Sequence, residues 1–174
     1  MGLHLIIDGY NLIRGSAGLS AREAESLEAG RAALLARLTA YKRLKAWPVT
    51  VVFDAAGGPH LADRQERVGG VVVVYSGAGR SADEVIIGLA RRQGRRAVVV
   101  TSDRSLAASV ESAGAVCLDS TEFENRLDLA FYLDHKGLGE PEEDQAPTLS
   151  TRKKGPGRRR PRSVRKKAAR LVKI

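Results

Sequence analysis

Cysteine is almost absent from this 174-residue chain. The lone Cys117 excludes an internal disulfide, and its setting, Ala115-Val116-Cys117-Leu118, reads as that of a small buried hydrophobe. Histidine is equally sparse: His4, His60 and His135 are scattered and form no zinc-like spacing with Cys117. Aromatic residues make up 5% of the chain, and positions 151–174 contain none, which excludes base stacking by that segment. No apolar run approaches the roughly 20 residues of a membrane-spanning helix. Nor does a basic stretch with a cleavage site precede Leu3-His4-Leu5-Ile6-Ile7-Asp8, so a cytoplasmic location is expected.

What the chain does hold in quantity is charge, unevenly placed. Its formal net charge is +9, yet residues 152–173 carry 12 Lys/Arg and no acid. Positions 1–150 therefore keep 17 basic and 20 acidic residues, a net −3. A slightly acidic body carries a basic tail, and the two need separate explanations. The expected organisation is a folded domain over 1–136, an acidic polar linker over 137–150 and a basic low-complexity tail over 151–174. A body of about 150 residues can bury roughly two thirds of its unfolded surface, enough for a core without staples.

Four short apolar runs read as strands: Leu3–Ile7, Val49–Phe53, Val71–Tyr75 and Ala97–Thr101, with a weaker fifth at Ala115–Leu118. They are Val- and Ile-rich and do not alternate, as strands buried on both faces should be. Helical patterns separate most of them. The first is expected over about Arg22–Lys45, opened by a Ser20/Glu23 capping box and closed at Trp47-Pro48. The second opens at the Ser81/Glu84 box, the third follows Ser102-Asp103, and the fourth opens at a Thr121/Glu124 box. Ala55–Val68 reads as a loop. The pattern predicts a three-layer α/β domain with a mostly parallel central sheet of about five strands.

In open parallel sheets, ligands bind beyond the carboxyl ends of the strands. Asp8, Asp54 and Asp103 follow the first, second and fourth predicted strands, and Asp83 opens the helix after the third. Four acids on one edge are unfavourable unless a cation offsets them. Mg²⁺ or Mn²⁺ would do so, since hard cations prefer carboxylate and water oxygens. Two such ions can activate water and stabilise the leaving oxygen of a phosphodiester. Each acid also has a structural reading. Asp8 and Asp54 suit turns, and Asp83 and Asp103 suit the positive end of a helix dipole. Asn11 could orient water or phosphate beside Asp8, or cap a turn. Tyr10 could stack on a base or pack, and Arg14 and Arg80 could meet phosphate or water.

The blocks Leu5-Ile6-Ile7-Asp8-Gly9-Tyr10-Asn11-Leu12, Val52-Phe53-Asp54, Ser81-Ala82-Asp83-Glu84-Val85-Ile86 and Val100-Thr101-Ser102-Asp103 resemble the YacP-like NYN-domain proteins of the PIN-like nuclease superfamily. The resemblance covers about residues 3–136, with the motifs in the family's order, and leaves the basic tail unexplained. It implies a PIN-like fold and a divalent-metal ribonuclease acting on single-stranded or exposed RNA. Some members are linked to translation-associated mRNA cleavage. The family's first acid falls on Asp8 and its amide on Asn11. Its later acids fall on Asp54, Asp83 and Asp103. On this reading Asp8, Asp83 and Asp103 are the main metal ligands, Asp54 is peripheral and Asn11 orients.

An acidic rim repels RNA, so the tail is the expected grip. Arg152-Lys153-Lys154, Arg158-Arg159-Arg160 and Arg165-Lys166-Lys167 suit phosphate backbones through counterion release, without sequence readout. The expected function is a metal-dependent endoribonuclease using metal-activated water, with single-stranded mRNA or ribosomal RNA, and the ribosome itself, as partners. The rival is a non-catalytic RNA- or ribosome-binding adaptor on the same fold. An Asp-x-Asp phosphatase is excluded because Tyr10 occupies the second position. Oligomeric state and the RNA target are not legible here.

Overall fold

The computed structural model describes residues 2–54, 62–77 and 79–137. The tail, the linker beyond Gly137, and His60 lie outside the described residues. The strands are β1 (His4–Asp8), β2 (Val49–Phe53), β3 (Arg64–Val68), β4 (Val71–Tyr75), β5 (Ala97–Val100) and β6 (Val116–Leu118). The helices are α1 (Gly9–Gly15), α2 (Ala17–Glu25), α3 (Leu27–Leu44), α4 (Ala82–Gln93), α5 (Arg104–Ser112) and α6 (Ser120–Lys136), with a short 3-10 turn at Gly94–Arg96.

The sheet runs β3-β4-β2-β1-β5-β6. All its pairings are parallel except β3 with β4. The strands lack alternation because both faces are covered. Leu5, Ile7, Val51, Phe53 and Val100 face one core, shared with Leu34, Leu38, Tyr41 and Phe123 of α3 and α6. Ile6, Val52, Val74 and Val99 face the other, against Val85, Ile86, Leu106 and Val110 of α4 and α5. Three layers result, as expected. Among the described residues no helix is long and apolar enough to cross a membrane.

The structure corrects several boundaries. The stretch Ala55–Val68, read as a loop, contains β3, an antiparallel edge strand and the sixth of the sheet. Its sequence, Arg-Gln-Glu-Arg-Val, carries no burial signal because every residue is exposed. It is a strand because Gly69 and Gly70, with φ of 56° and 84°, reverse the chain in two residues and pair it with β4. The long first helix breaks at Ser26: its opening residues, Arg22–Glu25, close α2, and the rest is α3. Ser16 and Ser26 cap α2 and α3 with their hydroxyls, whereas Ser20 Oγ donates back to the Ala17 carbonyl. The Ser81/Glu84 box is present in full. In α6 the cap is Asp119, accepting from Thr121 N–H, and not the Thr121/Glu124 box. Cys117 is only half-buried, because β6 is the other edge of the sheet.

Gly9 shows how tightly α1 is seated. A Cβ there would collide with the Phe53 ring and lie 2.9 Å from the Val52 carbonyl oxygen. Gly9→Ala is expected to cost about 1–3 kcal/mol through overpacking. Urea unfolding monitored by circular dichroism measures it.

Candidate active site

Parallel strands bring their carboxyl ends to one edge, and the predicted acids are there. Asp8 is the last residue of β1, still paired with Val52 of β2. Asp54 follows β2, Asp83 lies in the first turn of α4, and Asp103 follows β5 after Thr101-Ser102. β1 and β5 are neighbours whose onward connections run to opposite sides of the sheet, where an α/β sheet opens a crevice. A cavity of about 760 Å³ lies at this edge, lined by Asp8, Asn11, Asp54, Asp83 and Ser102, and also by Tyr10, Arg14 and Leu27.

Local hydrogen bonds fix these side chains. Asp8 caps α1, its Oδ1 accepting from Asn11 N–H at 3.2 Å. Buried Thr101 links two of the acids. Its hydroxyl donates to Asp8 Oδ2 at 3.4 Å and accepts from Asp103 N–H at 3.1 Å. Asp103 caps α5 by accepting from Ser105 N–H and Leu106 N–H. Buried Ser76 donates to Asp54 Oδ1 at 2.8 Å. Asp83 has no such partner among the described residues.

Asn11 ties the rim together. Its Oδ1 accepts from Ser102 N–H at 2.9 Å and from the buried Ser120 hydroxyl at 2.7 Å, joining α1 to the β5–α5 connection and α6. Asn11→Ala strands both donors and is expected to cost about 1–3 kcal/mol. Asn11→Asp keeps the acceptor and should fold better than Asn11→Ala at low pH, as chemical denaturation would show.

Electrostatics separates the acids by role. Asp8 is pushed up to about 6, by burial first and then by the charges of Asp83 and Asp103. Asp83 is raised by burial and by Asp103 and Asp54. A fifth acid, Asp119, follows β6 at the same edge and behaves oppositely. The Ser102 hydroxyl, first among its partners, holds its carboxyl below the ordinary range. Asp119 is thus a satisfied cap, while Asp8 and Asp83 carry charge that the fold opposes. Among the described residues no lysine or arginine forms an ion pair with Asp8, Asp54, Asp83 or Asp103.

The basic and aromatic candidates divide. Arg80 is taken up by Asp63 at 2.7 Å. Arg14 stays two-thirds exposed at the cavity, over the Tyr10 ring at 5.2 Å and 3.4 Å from Glu23. Tyr10 packs edge-on against Phe53, and Arg31 donates to its hydroxyl at 3.4 Å. It therefore both packs and lines the cavity. Sequence reasoning missed Thr101, Ser76, Ser102 and Asp119. Asp119 carried the same signal as the others, an acid directly after a strand.

Among the described residues no three Asp, Glu, His or Cys side chains converge into a ready-made cation cage. The donor set nevertheless fits a hard divalent cation. Mg²⁺ keeps several waters and is held by one or two carboxylates plus substrate phosphate, so it needs no all-protein cage.

The profile of the YacP-like NYN domain matches residues 5–154. The chain belongs to the YacP-like NYN family. This NYN domain is similar to the crystal structure of Rae1 (YacP) from Bacillus subtilis, at 27% identity and a TM-score of 0.65 over 79% of each chain. A crystal structure of a mutant form of that Bacillus subtilis protein matches at 27% identity and a TM-score of 0.62, over 75% of this chain and 77% of that one. No curated protein sequence matches. The NYN domain is a PIN-like, nuclease-type domain whose family points to RNA as substrate, and nucleases of this type typically use divalent metals.

Proposed function

We propose that this NYN protein is a divalent-metal-dependent endoribonuclease acting on single-stranded or ribosome-exposed RNA, with the basic tail recruiting the polyanion. The observation that carries it is the set of rim carboxylates that no lysine or arginine among the described residues pairs with, Asp8 being pushed up to about 6. Charge set against the fold in a cleft is a mark of a site built for a ligand. Asp8, Asp83 and Asp103 would hold Mg²⁺ or Mn²⁺. The ion supplies a Lewis acid that makes water nucleophilic near neutral pH and offsets phosphate charge.

The remaining roles belong to the chain. Thr101 ties the Asp8 carboxylate to the Asp103 backbone through its two hydrogen bonds. Asp54, fixed by Ser76, adds negative potential to the cavity wall. Asn11 anchors the rim and orients Asp8 through its backbone N–H. Arg14, over Tyr10, offers the cavity its cationic wall, suited to a phosphate next to the scissile one. The test is cleavage of single-stranded RNA in Mg²⁺ or Mn²⁺, on naked RNA and on translating ribosomes, with Asp8→Asn as control. Cleavage by the wild type alone, lost in EDTA, supports the reading. RNA binding without cleavage in either metal would leave the adaptor function instead.

A further inference from the structure

The same topology that gathers acids at one end gathers cations at the other. Helices between parallel strands run back against them, so their last turns lie at the strands' amino ends. Those turns carry Lys42 and Arg43 in α3, Arg91 and Arg92 in α4, and His135 and Lys136 in α6. Arg95 and Arg96 then follow in the 3-10 turn that leads into β5. The register pairs His4 with Ala97, so Arg96 sits at the start of the β1–β5 pair and Asp8 at its end. Five residue rises along the strand separate the two levels, about 16 Å.

Among the described residues, half of the fourteen arginines in residues 1–137 form an ion pair, Arg14 with Glu23 among them. Arg22, Arg37, Arg43, Arg64, Arg80 and Arg126 each meet an acid. Arg91, Arg92, Arg95 and Arg96 are all exposed, and none forms an ion pair among the described residues. A helix dipole accounts for Arg91 and Arg92, but its effect fades within the last turn, and Arg95 and Arg96 lie beyond it. The acids nearest in topology are Asp134, engaged by Arg43, and Glu111 near the end of α5.

The base beneath these arginines is fixed. Gly94 turns the chain at φ 51°, its N–H donating to the Ala90 carbonyl, and Ala97 N–H donates to the Gly94 carbonyl. Gln93 hydrogen-bonds His4, whose Nε2 lies 2.9 Å from Thr50 Oγ1. The turn is thus pinned to the sheet while the guanidinium groups stay in water. Arginine also offers a planar fork that matches phosphate oxygens.

We propose that Arg91, Arg92, Arg95 and Arg96 form a docking surface for the RNA phosphate backbone, at the end of the domain opposite the acidic rim. RNA held there would meet the rim with a distant part of the same strand. The proposal shares with the ribonuclease reading only the premise that the partner is RNA.

The test is Arg91→Gln/Arg92→Gln/Arg95→Gln/Arg96→Gln in the full chain, with labelled long and short single-stranded RNAs, anisotropy being read in EDTA. The expected result for long RNA is a Kd raised about tenfold at low salt and a log–log salt slope shallower by about 3. Metal-dependent cleavage of the short RNA should be unchanged. An unchanged Kd and slope on long RNA would overturn the proposal, as would an equal loss on short RNA. Should the fourfold variant fail to fold, Arg95→Gln/Arg96→Gln, outside α4, should still lower the slope by about 1.4. Because binding is read without metal, the two readings fail separately. A wild type that never cuts but loses its grip on substitution refutes only the nuclease. Intact grip beside metal-dependent cutting refutes only the docking surface.

Discussion

Asp8→Asn is expected to lower RNA cleavage at least about a hundredfold, the size of effect seen when one charge-stabilising group leaves a site. RNA binding should be unchanged or tighter, because the rim loses a negative charge facing a polyanion. The fold should survive, since asparagine caps helices as well as aspartate and α1 keeps its cap. Gel-based cleavage in Mn²⁺ and anisotropy in EDTA separate the two effects. Metal-independent cleavage at the wild-type rate by this variant would sink the assignment of Asp8.

The same substitution should make the protein more stable, and the sign follows from the direction of the shift. Asp8 is raised from 3.8 to about 6, so the folded state binds its proton more tightly than the unfolded chain does. Its contribution to stability is therefore greatest below 3.8, falls as pH rises toward about 6, and is level above that. Asparagine has no proton to lose. At neutral pH Asp8→Asn should gain about 1–3 kcal/mol, and the gain should vanish in acid. Thermal unfolding across pH measures it. The shift also bears on cation binding, which needs the carboxylate: affinity for Mn²⁺ in the wild type should weaken as pH drops below about 6.

How much of this was legible beforehand depends on what each residue's signal was. The central strands could be read because burial on both faces leaves continuous Val/Ile runs such as Val71–Tyr75. β3 could not, since its pairing comes from the Gly69-Gly70 turn and not from apolar residues. The split of the long first helix hung on Ser26, whose capping competes with an apparently continuous helical period. The acids could be placed because position after a strand is a one-dimensional property. Their roles could not be ranked, because what distinguishes Asp8 from Asp119 is three-dimensional. The first is buried among like charges, while the second is held by a hydroxyl from another loop. Asn11 shows the same limit, since its partners Ser102 and Ser120 lie 91 and 109 residues away.

Deleting residues 151–174 removes 12 of the chain's 29 basic residues and leaves a domain of net −3. If about six of those charges contact single-stranded RNA, the wild-type log–log salt slope contains about −4 from the tail alone. The truncated protein should then bind RNA about a hundredfold more weakly at low salt, with the difference closing as salt rises, because counterion release is the term being removed. The residual slope would report the arginines that remain, including Arg91, Arg92, Arg95 and Arg96. Cleavage of a short oligonucleotide at saturating concentration should be little changed, because the rim acids and their hydrogen bonds all lie within residues 8–120. A loss confined to binding makes the tail a recruiting arm. Affinity and slope identical to the full chain would refute that role, and a fall in the maximal cleavage rate would place the tail at the site itself.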